Sequence, residues 1–270
     1  MDTLRFFLGI GLAIVLVFSA ASVYTQFNRG QTLPTDRDTA YQVSTIDALM
    51  QGVFEGVQSV KELKKHGDFG IGTFDGLEGE LILLDGVVYH AKADGRVYPA
   101  SDSHTTPFAT VTYFDRDRSF TSGTVMNYSV FSITMSSQLP SQNMVYAVRM
   151  HSTFPVMKVR AIPAQHKPYP TFPEAAKNQS IYSYTNATGS IIGFYTPVFF
   201  RGLNIEGFHL HFISDDRETG GHILDFTLPL NTTIEYDITP EFEMVLPTSG
   251  AFTGVDLSQD LSGELAKIEN

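Results

Sequence analysis

The sequence predicts an α+β protein in which sheet dominates. Three observations carry that expectation. Short apolar segments separated by Gly-rich turns recur from residue 70 onward, helical apolar spacing marks the stretch from Ile46 to Leu63, and the second half reads as one strand after another. The 270 residues suit one large domain or two small ones. Aromatic content of 12% with only 17% charged residues belongs to a chain that folds rather than stays disordered. The net charge of −11 argues against a nucleic-acid-binding face. There is no cysteine, so disulfides, thiol nucleophiles and Cys-based zinc sites are all excluded, and any metal must be held by His, Asp or Glu.

The first segment, residues 1–24, reads as a signal peptide or a membrane anchor. Arg5 precedes the apolar run Phe6–Phe18, and small residues follow, with a cleavage position after Ala21. The uncharged stretch from Phe6 to Tyr24 is also just long enough to span a bilayer. Either reading places the domain outside the cytoplasm, secreted or membrane-anchored. Residues 25–38 form a polar linker containing Pro34.

Ser44, with Asp47 three residues on, opens a predicted helix whose apolar positions run Ile46, Leu49, Met50, Val53, Val57, Val60 and Leu63 and which ends near Gly67. Strands are predicted at Gly70–Phe74, Glu80–Leu84 and Val87–Ala91, the last two joined by the hairpin pair Asp85-Gly86. Phe108–Phe114 is another strand, and Tyr128–Leu139 a helix despite its Ser and Thr content. Val145–Met150 and Val156–Ile162 read as two strands around a turn. Four prolines between Pro163 and Pro173 mark an interdomain connection, with Pro173 starting a short helix. This divides the chain into an N-terminal α+β subdomain, 39–163, and a C-terminal β subdomain, 164–270. The latter holds the predicted strands Ser190–Phe200, Gly207–Ser214, Ile223–Leu230, Thr232–Thr239 and Phe242–Leu246, and the acidic tail closes with a short helix.

The stretch GFHLHFISDDRETGGHILDF, Gly207–Phe226, holds three of the eight histidines. Side chains alternate along a strand, so His209 and His211 share a face while Phe208, Leu210 and Phe212 take the other. Asp215, Asp216, Gly220 and Gly221 supply a turn. If the two strands pair with 211 opposite 222, and hence 209 opposite 224, His222 joins the other two and three imidazoles converge. That donor set, with no fourth protein ligand, suits a catalytic zinc with open positions, although iron, copper and nickel fit the same donors. Cupin-type barrels carry the same pattern, so it names a metal and not a reaction. The remaining histidines read as structural or surface residues.

Four blocks of the sequence resemble the alpha-acetolactate decarboxylase family. They are TLPTD at 32–36, GIGTFDGLEGELILLDG at 70–86, VRAIPAQHKPYPTF at 159–172 and GFYTPVFFRGLNIEGFHLHFISDDRETGGHILDF at 193–226. The resemblance covers about residues 32–270. It implies two β-rich subdomains, an N-terminal mixed sheet with packing helices and a C-terminal barrel-like antiparallel β domain, assembled as a homodimer. It implies decarboxylation of 2-acetolactate to acetoin and CO2 through a zinc-stabilised enediolate. It assigns the metal to His209, His211 and His222, and Glu80, Arg160 and Thr73 to the active site. It also brings a C-terminal glutamate to the metal, for which spacing favours Glu269 over Glu264. Arg160 would hold the substrate carboxylate and the glutamates would handle protons. No organic cofactor is called for. Two other readings stay open on the histidines alone: a cupin-like metal oxygenase or isomerase, and a non-catalytic exported zinc-binding protein.

Overall fold

Two seven-stranded sheets pack face to face in the computed structural model, which describes residues 37–269. From residue 37 onward the chain forms one compact unit. The expected leader and nearly all of the expected linker lie outside the described residues. Among the described residues, no helix is long and apolar enough to cross a membrane.

The first sheet contains β1 (Thr39–Val43), β3 (Phe69–Thr73), β4 (Glu80–Leu84), β5 (Val87–Ala91), β6 (Val97–Pro99), β8 (Ala109–Thr112) and β16 (Glu241–Val245), in the order β16-β1-β8-β3-β4-β5-β6. It is mixed: β16 runs parallel to β1, and the other pairs are antiparallel. Asp85 and Gly86 both take positive φ, 51° and 78°, which gives the β4–β5 hairpin the twist its strands need. A separate pair joins β2 (Gln58–Ser59) to β7 (Thr105–Thr106).

The second sheet contains β9 (Arg118–Thr121), β10 (Met126–Asn127), β11 (Val145–Ala161), β12 (Ser180–Thr196), β13 (Gly207–Ser214), β14 (Gly220–Leu228) and β15 (Thr233–Thr239), in the order β10-β14-β13-β12-β11-β15-β9. Strand β14 also pairs with β11, so β11, β12, β13 and β14 close into a ring. This is the barrel-like element. Among the described residues, five α-helices complete the fold: α1 (Ile46–Met50), α2 (Val60–Leu63), α3 (Tyr128–Gln138), α4 (Phe172–Ala176) and α5 (Ser262–Glu269).

The structure differs from the sequence reading in several places. The single helix expected from Ser44 is two short helices, α1 and α2, with β2 between them. Gly52 has φ +84° and a Cβ there would overlap the carbonyl of Pro170, so the chain turns away after one helical turn. The cap of α1 is Thr45, whose Oγ1 accepts from Ala48 N, while Ser44 has φ 60°. The two strands expected around Pro155 are one continuous strand, β11. Proline has no N–H, so the ladder skips from Phe154↔Ala187 to Val156↔Thr185 and continues beyond. Strand β12 begins at Ser180, ten residues before the expected start, in an exposed polar stretch paired along β11. Finally, β11 bonds to β12, β14 and β15, and β16 returns to the first sheet, so the sheets do not divide the chain at residue 163.

Alternation explains the packing. In the second sheet Tyr146, Val148, Ile191, Leu210, Phe212 and Ile223 enter one core, together with Phe131 and Met135 of α3. Their neighbours Val145, Ala147, Ile192 and Ile213 turn the other way and meet Phe69, Ile71, Ile82 and Leu84 of the first sheet. Strands buried on both faces read as continuous apolar runs, as here. The inter-sheet core is flanked by a third cluster, including Ile46, Leu49, Leu77, Phe108, Ile162, Phe172 and Ile205.

Away from these cores, Asp237 on β15 is buried. Its Oδ2 accepts from Asp115 N (3.1 Å), and its Oδ1 has no hydrogen-bond partner. Burial pushes its carboxyl up to about 7, with Asp117, Asp115 and Asp38 adding in the same direction. A carboxyl with a raised folded pKa binds its proton more tightly folded than unfolded. Its contribution is therefore fully present below about pH 4 and is lost as pH rises through about 7. Asp237→Asn is expected to flatten that slope and to gain roughly 1–3 kcal/mol at pH 8 relative to its effect at pH 4. Urea melts at the two pH values check it, and equal effects at both would contradict the burial argument.

Candidate metal centre

The faces that form the inter-sheet core carry polar residues at one end. On β3, Thr73 continues the face of Phe69 and Ile71; on β4, Glu80 continues that of Ile82 and Leu84. From the second sheet come Arg160, His209, His211 and His222. The ladder pairs His211 with His222 as expected, then Phe212 with Gly221 and Ile213 with Gly220. The expected pairing of 209 with 224 is not among them, because β14 leaves β13 there and crosses to β11, pairing His222 with Arg160 and Ile223 with Val159. A register shift between Lys158 and Val159 turns Arg160 inward, and its neighbour Val159 joins the core on the other face.

The three imidazoles are buried, with ring centroids 5.0, 5.1 and 5.5 Å apart. One ring nitrogen from each lies within 4.8 Å of the other two. The Nδ1–H of His211 donates to the carbonyl of Leu81 (3.1 Å), which leaves Nε2 as a lone pair with no partner. Both ring nitrogens of His222 are also unpartnered. Burial lowers all three imidazoles, with the Arg160 charge adding to it: His211 to about 3, His209 and His222 well below their ordinary value. They are neutral bases at any physiological pH.

Arg160, 2% exposed, is gripped from two sides. Its Nη1 donates to Glu80 Oε1 (3.3 Å) and its Nη2 to Glu269 Oε1 (2.8 Å). Its guanidinium lies over the ring of Phe172, 5.9 Å from the centroid. The second oxygens of both carboxyls turn to the histidines. Glu269 Oε2 is 3.3 Å from His222 Nε2 and 4.0 Å from His209 Nε2, and Glu80 Oε2 is 3.5 Å from His211 Nε2. Burial raises both carboxyls against the pull of Arg160, Glu80 to about 7. The Glu269 Oε2 has no hydrogen-bond partner and lies 3.3 Å from His222 Nε2, which is unpartnered too. Unpartnered ligand atoms that converge in a buried site suit a cation among them: the three imidazole nitrogens fit a metal ion, with Glu269 Oε2 beside them.

Every residue singled out in the sequence lies at this end of the sheets. Glu269, at the end of α5, reaches the histidines; Glu264 stays exposed. Thr73 lines the pocket, but its hydroxyl donates to Gly79 O (2.7 Å) and so fixes the turn that presents Glu80. Three contributors carried no signal in the sequence. The Leu81 carbonyl is a backbone group, Phe172 sits in the proline-rich stretch read as a connection, and Ile205 lies on a turn before β13. Gly193 has no side chain because β13 passes too close: a Cβ there would overlap the carbonyl of His209. Gly193→Ala is expected to cost about 1–3 kcal/mol of stability and to weaken metal binding, read by thermal melts with and without metal.

A buried imidazole triad beside one arginine and two carboxyls defines an enzyme site that could hold a metal ion. The relatives make the class specific. The alpha-acetolactate decarboxylase family model matches residues 40–259, a range that includes Thr73, Glu80, Arg160 and the three histidines and ends before α5. An alpha-acetolactate decarboxylase of Methanosarcina mazei is 47% identical over 232 residues, 86% of this chain and 80% of that protein. The Bacillus licheniformis enzyme of the same name is 38% identical over 239 residues, covering 87% and 94%. The crystal structure of alpha-acetolactate decarboxylase from Bacillus subtilis strain 168 matches with a TM-score of 0.83 at 35% identity, over 86% of this chain and 99% of that one. The chain belongs to the alpha-acetolactate decarboxylase family.

Proposed function

We infer that this protein decarboxylates 2-acetolactate to acetoin and CO2, with a zinc ion held by His209, His211, His222 and Glu269. The observation that carries the reading is the meeting of three buried imidazoles with Arg160 and two carboxyls in one pocket. With Glu80 protonated, Arg160 and Glu269 cancel, so a bound dication would leave the pocket positive and suited to an anionic acid. Zinc, when bound, supplies Lewis acidity to the ketone and hydroxyl oxygens of a 2-hydroxy-3-keto acid.

The protein's own groups do the rest. Arg160 stays charged and orients the carboxylate so that the C–C bond to be broken lies across the ketone plane. Loss of CO2 leaves an electron pair that passes into the ketone as an enediolate, and a proton must then reach the carbon. Glu80, whose carboxyl burial pushes up to about 7, can hold a proton near neutral pH beside the histidines and is assigned as the donor. Glu269 touches two of the three histidine nitrogens and is the better ligand. The apolar walls, Leu77, Phe108, Ile162 and Phe172 among them, exclude water. Export of the domain, expected from the leader, and a homodimer, implied by the family resemblance, belong to the same proposal; sedimentation of residues 25–270 and fractionation of cells read them.

The test is acetoin release from racemic 2-acetolactate by residues 25–270, as purified, after chelation, and after zinc is returned. Metal-dependent acetoin above spontaneous decay is expected. A folded, zinc-loaded protein that releases none would overturn the reading, and oxygen uptake would point to an oxygenase instead. Glu80→Gln is expected to keep zinc and lose at least roughly a hundredfold in kcat, the usual contribution of a positioned proton donor. Full activity in that variant would remove Glu80 from the chemistry.

A further inference from the structure

The space beside the histidines is about 20 Å³, room for one water. A five-carbon acid, the substrate class of the reading above on which this inference rests, cannot enter unless a wall moves. Most walls are fixed. Gly72, Thr73, Glu80, Arg160 and the histidines sit on hydrogen-bonded strands, and Leu49, Leu77, Phe108 and Phe172 are locked in the third core cluster. Ile205 and Glu269 line both this space and two clefts that adjoin it.

The larger of those shared clefts, about 510 Å³ against about 100 Å³, runs between α3 and the start of β13. Tyr128, Ser132, Ser136, Gln142 and Phe208 line it, and its inner end is Glu269. The two gate residues are held differently. Glu269 ends an eight-residue helix whose one fully buried residue is Leu265, so less packing holds it than holds the strand residues, and its carboxylate is tied by its bond to Arg160 Nη2. Ile205 is anchored through its backbone: its N–H donates to Asn204 Oδ1 (2.7 Å) and its carbonyl accepts from the Thr196 hydroxyl.

We propose that substrate enters through the cleft between α3 and β13, and that Ile205 is the fixed lip and Glu269 the moving lip of the gate. Ile205 is then a specificity-determining residue that limits the size of the acid admitted. The substrate carboxylate takes over Arg160 Nη2 as Glu269 withdraws, so opening and substrate capture share one donor.

The test uses zinc-loaded protein and two readouts. The first, the rate of zinc removal by dipicolinate, needs no decarboxylation and so separates failure of the gate from failure of the proposed reaction. Ile205→Ala is expected to speed removal several-fold. Ser136→Trp, which plugs the cleft from a partly exposed helix position, is expected to slow it with no change in melting temperature. The second readout is kcat/KM for the methyl substrate against its ethyl homologue, and Ile205→Ala is expected to shift that ratio toward the ethyl acid by roughly tenfold. Should Ile205→Ala fail to fold, Ser136→Trp carries the test alone. Wild-type removal rates in both variants, or in Ser136→Trp where only it folds, would overturn the proposal, as would an unchanged substrate ratio.

Discussion

His222 is hydrogen-bonded into two ladders at once, opposite His211 on one side and Arg160 on the other. The site depends on that register. A slip of one residue in β14 would send His222 into the apolar core and bring Gly221 or Ile223 to the metal. The same double pairing closes the ring of four strands, so the barrel and the site are one structural event. The Gly220-Gly221 pair permits it, since a Cβ at Gly221 would overlap the Arg160 carbonyl and one at Gly220 would press on the Phe212 carbonyl.

Electrostatics then follow from burial. Five of the site's six ionisable groups line a space that admits about one water, and His211 packs beside them. Burial drives the three imidazoles to their neutral form and pushes both carboxyls toward theirs, while Arg160 stays charged. The arrangement is costly without a cation, and removal of Arg160 would leave two carboxyls with no counter-charge, at a cost on the order of 3–5 kcal/mol. The two acids sit in different settings: Glu80 borders one histidine, whereas Glu269 borders two.

Much of this was legible in the residues. Strand alternation alone put His209 and His211 on one face, and the Gly-Gly turn put His222 beside them. Glu80 and Arg160 were different: on pattern each is an ordinary strand carboxylate or cation, and only resemblance to a family picked them out. The pattern failed where tertiary contacts overrode local signals. Helical spacing from Ile46 to Leu63 was real, but the close approach of Pro170 to Gly52 broke the helix. Pro155 looked like a turn, yet a strand held by neighbours on both sides of it passes through a missing donor. Leu81 and Ile205 act through a carbonyl and a position, and neither leaves a mark in composition.

In the proposed reaction these side chains hold one divalent metal ion, with Glu269 as its carboxylate ligand. X-ray absorption at the zinc edge of residues 25–270, wild type and Glu269→Gln, reads that ligand set. One zinc per chain is expected, bound by three imidazole nitrogens and a carboxylate oxygen, with the oxygen shell altered in the variant. Absence of stoichiometric metal, or a shell without three imidazoles, would contradict it.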